Sequence, residues 1–223
     1  MTKKRDSARS VAKTRSNNGF WLDHAEIVDA DYEWLASVER LILWNVVVPP
    51  GFLARLKQLW WLDIRGGSAP DLQIARGATR LRYLAVNQVR GLRDLSIIPE
   101  MVSLRYIDLY GLPHVTHLPS FLPLSRLEYA SVGQMRGLLS LRQLLEAPNL
   151  QHLKLNRKIN VTSEDVDRII KHPTIRQFSW YAEDVPDKVW VPVVEKIGLP
   201  PVPTAFPEDW FSIPGTSVVS RSE

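Results

Sequence analysis

The chain of 223 residues has no cysteine. Without thiols there is no disulfide frame, no zinc ribbon and no cysteine nucleophile, and a reducing, cytoplasmic setting is expected. Long hydrophobic runs are missing as well. The longest, such as Leu41 to Val48, fall far short of the ~20 residues needed to cross a bilayer, so no membrane partner is expected. A phosphate-cradling loop is also absent, since Gly66-Gly67 is followed neither by Lys-Ser/Thr nor by a helix pattern. His114 and His117 stand three apart, but with no thiol and no nearby carboxylate they do not make a metal site. No Ser/His/Asp set stands out from the many serines. The carboxylate pairs Glu164/Asp165 and Glu183/Asp184 read as solvated helix-start chemistry. The expectation is a chain with no catalysis, no metal and no cofactor.

Charge of one sign is scarce outside a short segment. Residues 1–18 hold Lys3, Lys4, Arg5, Arg9, Lys13 and Arg15 against Asp6, a net of +5, whereas the remainder carries 22 basic and 23 acidic residues. The sequence pI of 9.4 therefore belongs to the start of the chain. Phosphate recognition needs basic charge concentrated on a docking surface, so nucleic acid is not expected as a partner. The same segment lacks the apolar stretch of a secretory signal, and it reads as a solvated, disordered basic tail.

What the chain does have is 45% hydrophobic residues, arranged with a period. Leu81, Leu104, Leu127 and Leu150 are each 23 apart, and the columns Leu84/Ile107/Ala130/Leu153 and Val86/Leu109/Val132/Leu155 keep the same interval. Leu72/Leu95/Leu118/Leu141 and Ile98/Phe121/Leu144 keep step in the connecting segments. The unit is L-x-x-L-x-L: LRYLAV from Leu81, LRYIDL from Leu104, LEYASV from Leu127 and LQHLKL from Leu150, with looser copies from Val38, Leu59 and Ile175. Alternation within each unit puts Leu84 and Val86 on one side of a short strand and Ala85 and Asn87 on the other. Prolines at 70, 99, 119, 123 and 148 favour irregular returns over long helices, with 137–147 the one stretch open to a short helix.

These seven units resemble the leucine-rich repeat family over residues 38–180. The resemblance implies an α/β solenoid of about seven short parallel strands lining a concave surface, which needs a cap at each end. The family's usual Asn or Cys three positions after the last Leu is here Val46, Gly67, Val89, Leu112, Met135 or Lys158, so the ladder that an Asn side chain supports must be made some other way. The expected organisation is a tail at 1–18, an N-terminal cap at 19–37, repeats at 38–180, and a C-terminal cap and tail at 181–223. Towards that end Ser163 suits an N-cap with Glu164 and Asp165 in the first turn of a helix that stops at Lys171, His172 and Pro173, a partial helix lies around Val193 to Ile197, and an aromatic strap with Trp190, Phe206, Trp210 and Phe211 packs on the last repeats.

The outward positions are the ones the core does not dictate. The third position of the motif gives Arg40, Trp61, Tyr83, Tyr106, Tyr129, His152 and Gln177, with five rings in succession. The fifth gives Ile42, Asp63, Ala85, Asp108, Ser131, Lys154 and Ser179, and the seventh Trp44, Arg65, Asn87, Tyr110, Gly133, Asn156 and Tyr181. Rings in one column can stack on each other for roughly 0.2–1 kcal/mol per pair without any partner. A displayed run of them would nonetheless exceed the ~300–600 Å² apolar patch usual for a monomer. The expectation is therefore a protein-binding module with anchors Trp61, Tyr83, Tyr106 and Tyr129, helped by Trp44, Asn87, Tyr110 and His152 and steered by Asp63, Arg65, Asp108 and Lys154. The segment HPTIRQFSWYAEDVPDKVWVPVVEKIGLP is similar to bacterial leucine-rich-repeat proteins that act as immunity proteins of polymorphic toxins, which implies a toxin domain as partner. The alternative is a scaffold or substrate-recognition subunit of a larger complex.

Overall fold

The computed structural model describes residues 5–16, 18–203 and 206–212. Its first elements are β1 (Asp6–Ser7), α1 (Ala8–Val11), β2 (Lys13–Ser16), β3 (Gly19–Asp23), β4 (Ala25–Glu26) and α2 (Tyr32–Leu35). Next come β5 (Arg40–Trp44), α3 (Phe52–Arg55), β6 (Trp61–Arg65), β7 (Tyr83–Asn87), β8 (Tyr106–Tyr110), β9 (Tyr129–Gly133) and β10 (His152–Asn156). The chain then runs through α4 (Ser163–Lys171), β11 (Gln177–Tyr181), α5 (Asp187–Ile197) and α6 (Pro207–Ser212). The architecture is α/β, with one nine-stranded sheet in the order β11-β10-β9-β8-β7-β6-β5-β3-β2 that is parallel except at the β2/β3 edge. A short parallel pair, β1 with β4, stands beside it. Among the described residues no helix is long and apolar enough to cross a membrane.

Seven of the strands lie where the L-x-x-L-x-L segments stand in the sequence, and β3 and β2 extend the sheet beyond them. Register is kept from strand to strand: Tyr83 pairs with Tyr106 and Tyr106 with Tyr129, so each motif position forms a row across the sheet. One face carries Leu62, Leu84, Ile107, Ala130 and Leu153, all fully buried, and the next row, Ile64 to Leu155, is buried with it. The returns close over this face with Leu72, Leu95, Leu118 and Leu141 and with Ile98, Phe121 and Leu144. Each such side chain stabilises the fold by roughly 1.5–3 kcal/mol, and none can be buried by its own segment alone.

The turns that leave β5 to β10 are held by the backbone. The residue after each of β5 to β10 has positive φ: Asn45 (51°), Gly66 (59°), Gln88 (52°), Gly111 (67°), Gln134 (47°) and Arg157 (53°). In that conformation its N–H turns to the carbonyl of the last residue of the next strand, as in Gln88 to Tyr110 at 2.9 Å, Gly111 to Gly133 at 3.0 Å and Gln134 to Asn156 at 2.9 Å. Val89, Leu112 and Met135, two residues past the ends of β7, β8 and β9, are buried in the core.

Four expectations are corrected outside the strands. The basic start is folded over its described part, because Ala8 is fully buried and β1 and β2 pair with β4 and β3; residues 1–4 and 17 lie outside the described residues. The stretch 137–147 forms only a single 3-10 turn, Leu144–Glu146. The partial helix expected around Val193 begins at Asp187 and continues through Pro192, because its apolar face, with Trp190, Val193, Val194 and Ile197, packs on the core. Helix α4 is capped by Thr162, one residue before the expected Ser163: its hydroxyl accepts from the Asp165 N–H while the Asp165 carboxylate accepts from the Thr162 N–H, a reciprocal pair that Ser163 cannot make from within the helix. Gly198, at φ 64°, ends α5 as expected. The last residues of the expected tail, 213–223, lie outside the described residues.

Candidate functional site

The face of the sheet turned away from the core carries the third, fifth and seventh motif positions as three rows. In the third row the rings contact in sequence. Trp61 stacks on Tyr83 at 3.7 Å, Tyr83 meets Tyr106 at 5.2 Å, Tyr106 stacks on Tyr129 at 4.1 Å, and His152 lies 5.6 Å beyond. The Tyr106 and Tyr129 hydroxyls share a hydrogen bond.

This row is not open to solvent. Trp61, Tyr83, Tyr106 and Tyr129 are only 4 to 5% exposed, which corrects the expectation of a displayed ring ladder. The cover is the chain's own C-terminal segment. After α5 it runs beside β11, where Pro200 accepts from the Phe178 N–H at 2.9 Å and the Val202 N–H donates to the Ser179 hydroxyl at 2.8 Å. Helix α6 then sets Trp210 edge-on against Tyr106 and Tyr129, and Phe211 against Trp60, Trp61, Tyr83 and Tyr106. Arg105, paired with Glu128 at 2.9 Å, holds its guanidinium 5.3 Å from the Trp210 ring. The strap expected over the last repeats thus reaches the middle of the sheet. Trp60 and Arg105, which frame it, are the second residues of their L-x-x-L-x-L units, a column that was not singled out. Trp210 and Phe211 themselves, an aromatic pair with no counterpart in any repeat, were the available signal.

The fifth row holds the charges. Asp63 is buried, and Arg65 forks onto it, with Nε 3.0 Å from each oxygen and Nη2 2.6 Å from Oδ2. Burial raises the Asp63 carboxyl and Arg65 opposes the rise. Asp108 is half-buried, and burial pushes its carboxyl up to about 6, against the pull of a hydrogen bond from Ser131 and the charges of Lys154 and Arg65. Ser131 in turn accepts from Asn156 Nδ2 at 2.9 Å. The Lys154 ammonium lies 4.5 Å from the Tyr181 ring centre. His152 is lowered by burial and bonded to Gln177 at 2.7 Å.

The seventh row remains uncovered. Trp44 and Tyr181 are 38% and 39% exposed, and Arg65, Asn87, Tyr110 and Asn156 are half-buried. Between this row and the strap lies a cleft of about 490 Å³, lined among others by Asp108, Tyr110, Lys154, Asn156, Tyr181 and, from the strap, Phe206. Phe206 is 76% exposed. Of the twelve residues expected to meet a partner, five are therefore buried (Trp61, Asp63, Tyr83, Tyr106 and Tyr129). The other seven, Trp44, Arg65, Asn87, Asp108, Tyr110, His152 and Lys154, keep some exposure. Of these, Asp108, Tyr110 and Lys154 line the cleft, together with Asn156, Arg157, Tyr181 and Glu183, which were not among the expected partner contacts, and Phe206, expected only in the strap.

Among the described residues no group of three His, Asp or Glu could hold a metal ion, and His114 and His117 stand exposed on their loop. No protein-family model matches this chain, and no curated protein does.

Proposed function

We propose that the chain is a leucine-rich-repeat solenoid that serves, without catalysis or cofactor, as a protein-binding module on the concave side of its sheet. The carrying observation is the contrast within one face: rings in the third row are sealed by the strap, while Trp44, Tyr110, Tyr181 and Phe206 stay accessible among charges. Aromatics set in a mixed polar surface are the composition of an interface centre with its rim. The role as an immunity protein that occludes a toxin domain rests on the C-terminal resemblance alone. A docking-arm role for the strap is disfavoured, since Trp210 and Phe211 are spent on the ladder.

The test is co-purification of the chain with the C-terminal domain encoded by the neighbouring open reading frame, using the triple change Trp44→Ala, Tyr110→Ala and Tyr181→Ala. The expected result is capture by the parent chain and at least about a hundredfold weaker capture by the variant, with a melting temperature lowered by no more than about 5 °C. Capture unaffected by the triple change would reject this face, and absence of any toxicity or binding in the neighbouring domain would reject the immunity role.

A further inference from the structure

The two aspartates of the fifth row occupy equivalent positions and differ in the residue two places further along the strand. On β6, Asp63 has Arg65 there, on the same face, gripping it through the Nε–Nη2 edge of its guanidinium. On β8, Asp108 has Tyr110 there instead. The in-register pairing of both strands with β7 makes Asp108 the counterpart of Asp63 with the arginine missing.

Nothing nearby replaces that arginine. Ser131 on β9 supplies one hydrogen bond. Of the cations whose fields reach Asp108, Arg65 on β6 is committed to Asp63, and Lys154 on β10 rests over the Tyr181 ring. Just past the end of β10, Arg157 pairs with Glu183 at 3.0 Å. Tyr83 on β7, Tyr106 on β8 and Tyr129 on β9 are phenols that burial keeps neutral, and Asp63 adds a like charge. Among the described residues no cation forms an ion pair with Asp108. The carboxylate nevertheless opens on a cleft of about 490 Å³ whose walls include Tyr110 and the exposed Phe206.

Resting on the reading of this face as a protein-binding surface, we infer that the cleft takes an arginine side chain of the partner, its guanidinium on Asp108 and its flat face against the Tyr110 ring. Arginine fits better than lysine because its planar fork can bond both carboxylate oxygens while stacking on an aromatic ring, and because it is less strongly hydrated. Its methylene stem can lie along the apolar wall that ends at Phe206. The Asp63–Arg65 pair in the same sheet shows the geometry that such a contact adopts.

A test that needs no partner is titration of N-acetyl-arginine amide into the full chain, with the tyrosine ring resonances followed by NMR. Saturable binding of about millimolar strength is expected for so small a probe. The neutral isostere N-acetyl-citrulline amide should bind at least about tenfold more weakly. Asp108→Asn should erase that preference. Tyr110→Arg, which supplies the guanidinium from within, should abolish probe binding while leaving the chain folded. Because Asp108 must be ionised, the preference for arginine should grow as pH rises through about 6. Equal binding of the two probes, no binding of either, or a preference that survives Asp108→Asn would overturn the proposal. If the arginine probe binds at Asp108 but no protein partner is captured, the module reading fails alone. If the partner is captured through Trp44 and Tyr181 while the probe is refused, only the arginine site fails.

Discussion

The two edges of the outward face are built from the same strands and have opposite fates. At the first residue of β6 to β9, large rings stand in one row on adjacent strands and are sealed by α6. At the last residue, aromatics alternate with Arg65, Asn87 and Asn156 and stay accessible. The difference teaches where apolar surface serves folding and where it is left for something else. A continuous ring ladder is large enough to recruit a cover from the same chain, whereas an interrupted row is not.

The sharpest way to break the comparison is to remove the cover. Trp210→Ala together with Phe211→Ala should cost about 3–5 kcal/mol in urea unfolding, since both rings leave packed contacts behind. The same truncation on the open edge, Trp44→Ala with Tyr181→Ala, should cost about 1 kcal/mol or less. Equal costs would erase the distinction. Next in size is Asp108→Asn. The folded carboxyl titrates near 6 against an ordinary 3.8, so its ionised form is disfavoured by folding and opposes stability as pH rises through that window. The variant should be more stable than the parent by about 1–3 kcal/mol at pH 7, with the gain vanishing below about pH 4. Thermal melts at both values decide it, and a gain equal at the two would show that the charge is not the cause. The smallest expected effect is Gln134→Gly at a positive-φ residue after β9. Relief of left-handed strain outweighs the added backbone freedom of the unfolded chain by about 0.5 kcal/mol.

Much of the sheet was legible because its rows repeat at a fixed interval: the period of 23 placed Leu84, Ile107 and Leu153 inward and Tyr83, Tyr106 and Tyr129 outward. Pairing β3 to β5 was not legible, since Gly19–Asp23 precedes the repeat and carries no L-x-x-L-x-L unit. The positive-φ ladder was hidden for another reason. It is made by backbone at Asn45, Gln88, Gln134 and Arg157, residue types that nothing in the periodicity distinguishes. The site was half legible. Periodicity tells which side of a strand a ring faces, but only chain path tells what lies above it, and the reach of α6 back to Tyr83 spans well over a hundred residues of sequence. The cleft combines Asp108, Lys154 and Phe206 from three distant segments, so no local pattern announces it.

Hydroxyl-radical footprinting of the native chain, read residue by residue, tests the division of the outward face most directly. The account predicts fast oxidation of Trp44, Tyr110, Tyr181 and Phe206, and slow oxidation of Trp61, Tyr83, Tyr106 and Tyr129 that becomes fast when Trp210 and Phe211 are truncated. Comparable oxidation of both rows in the parent chain would contradict it.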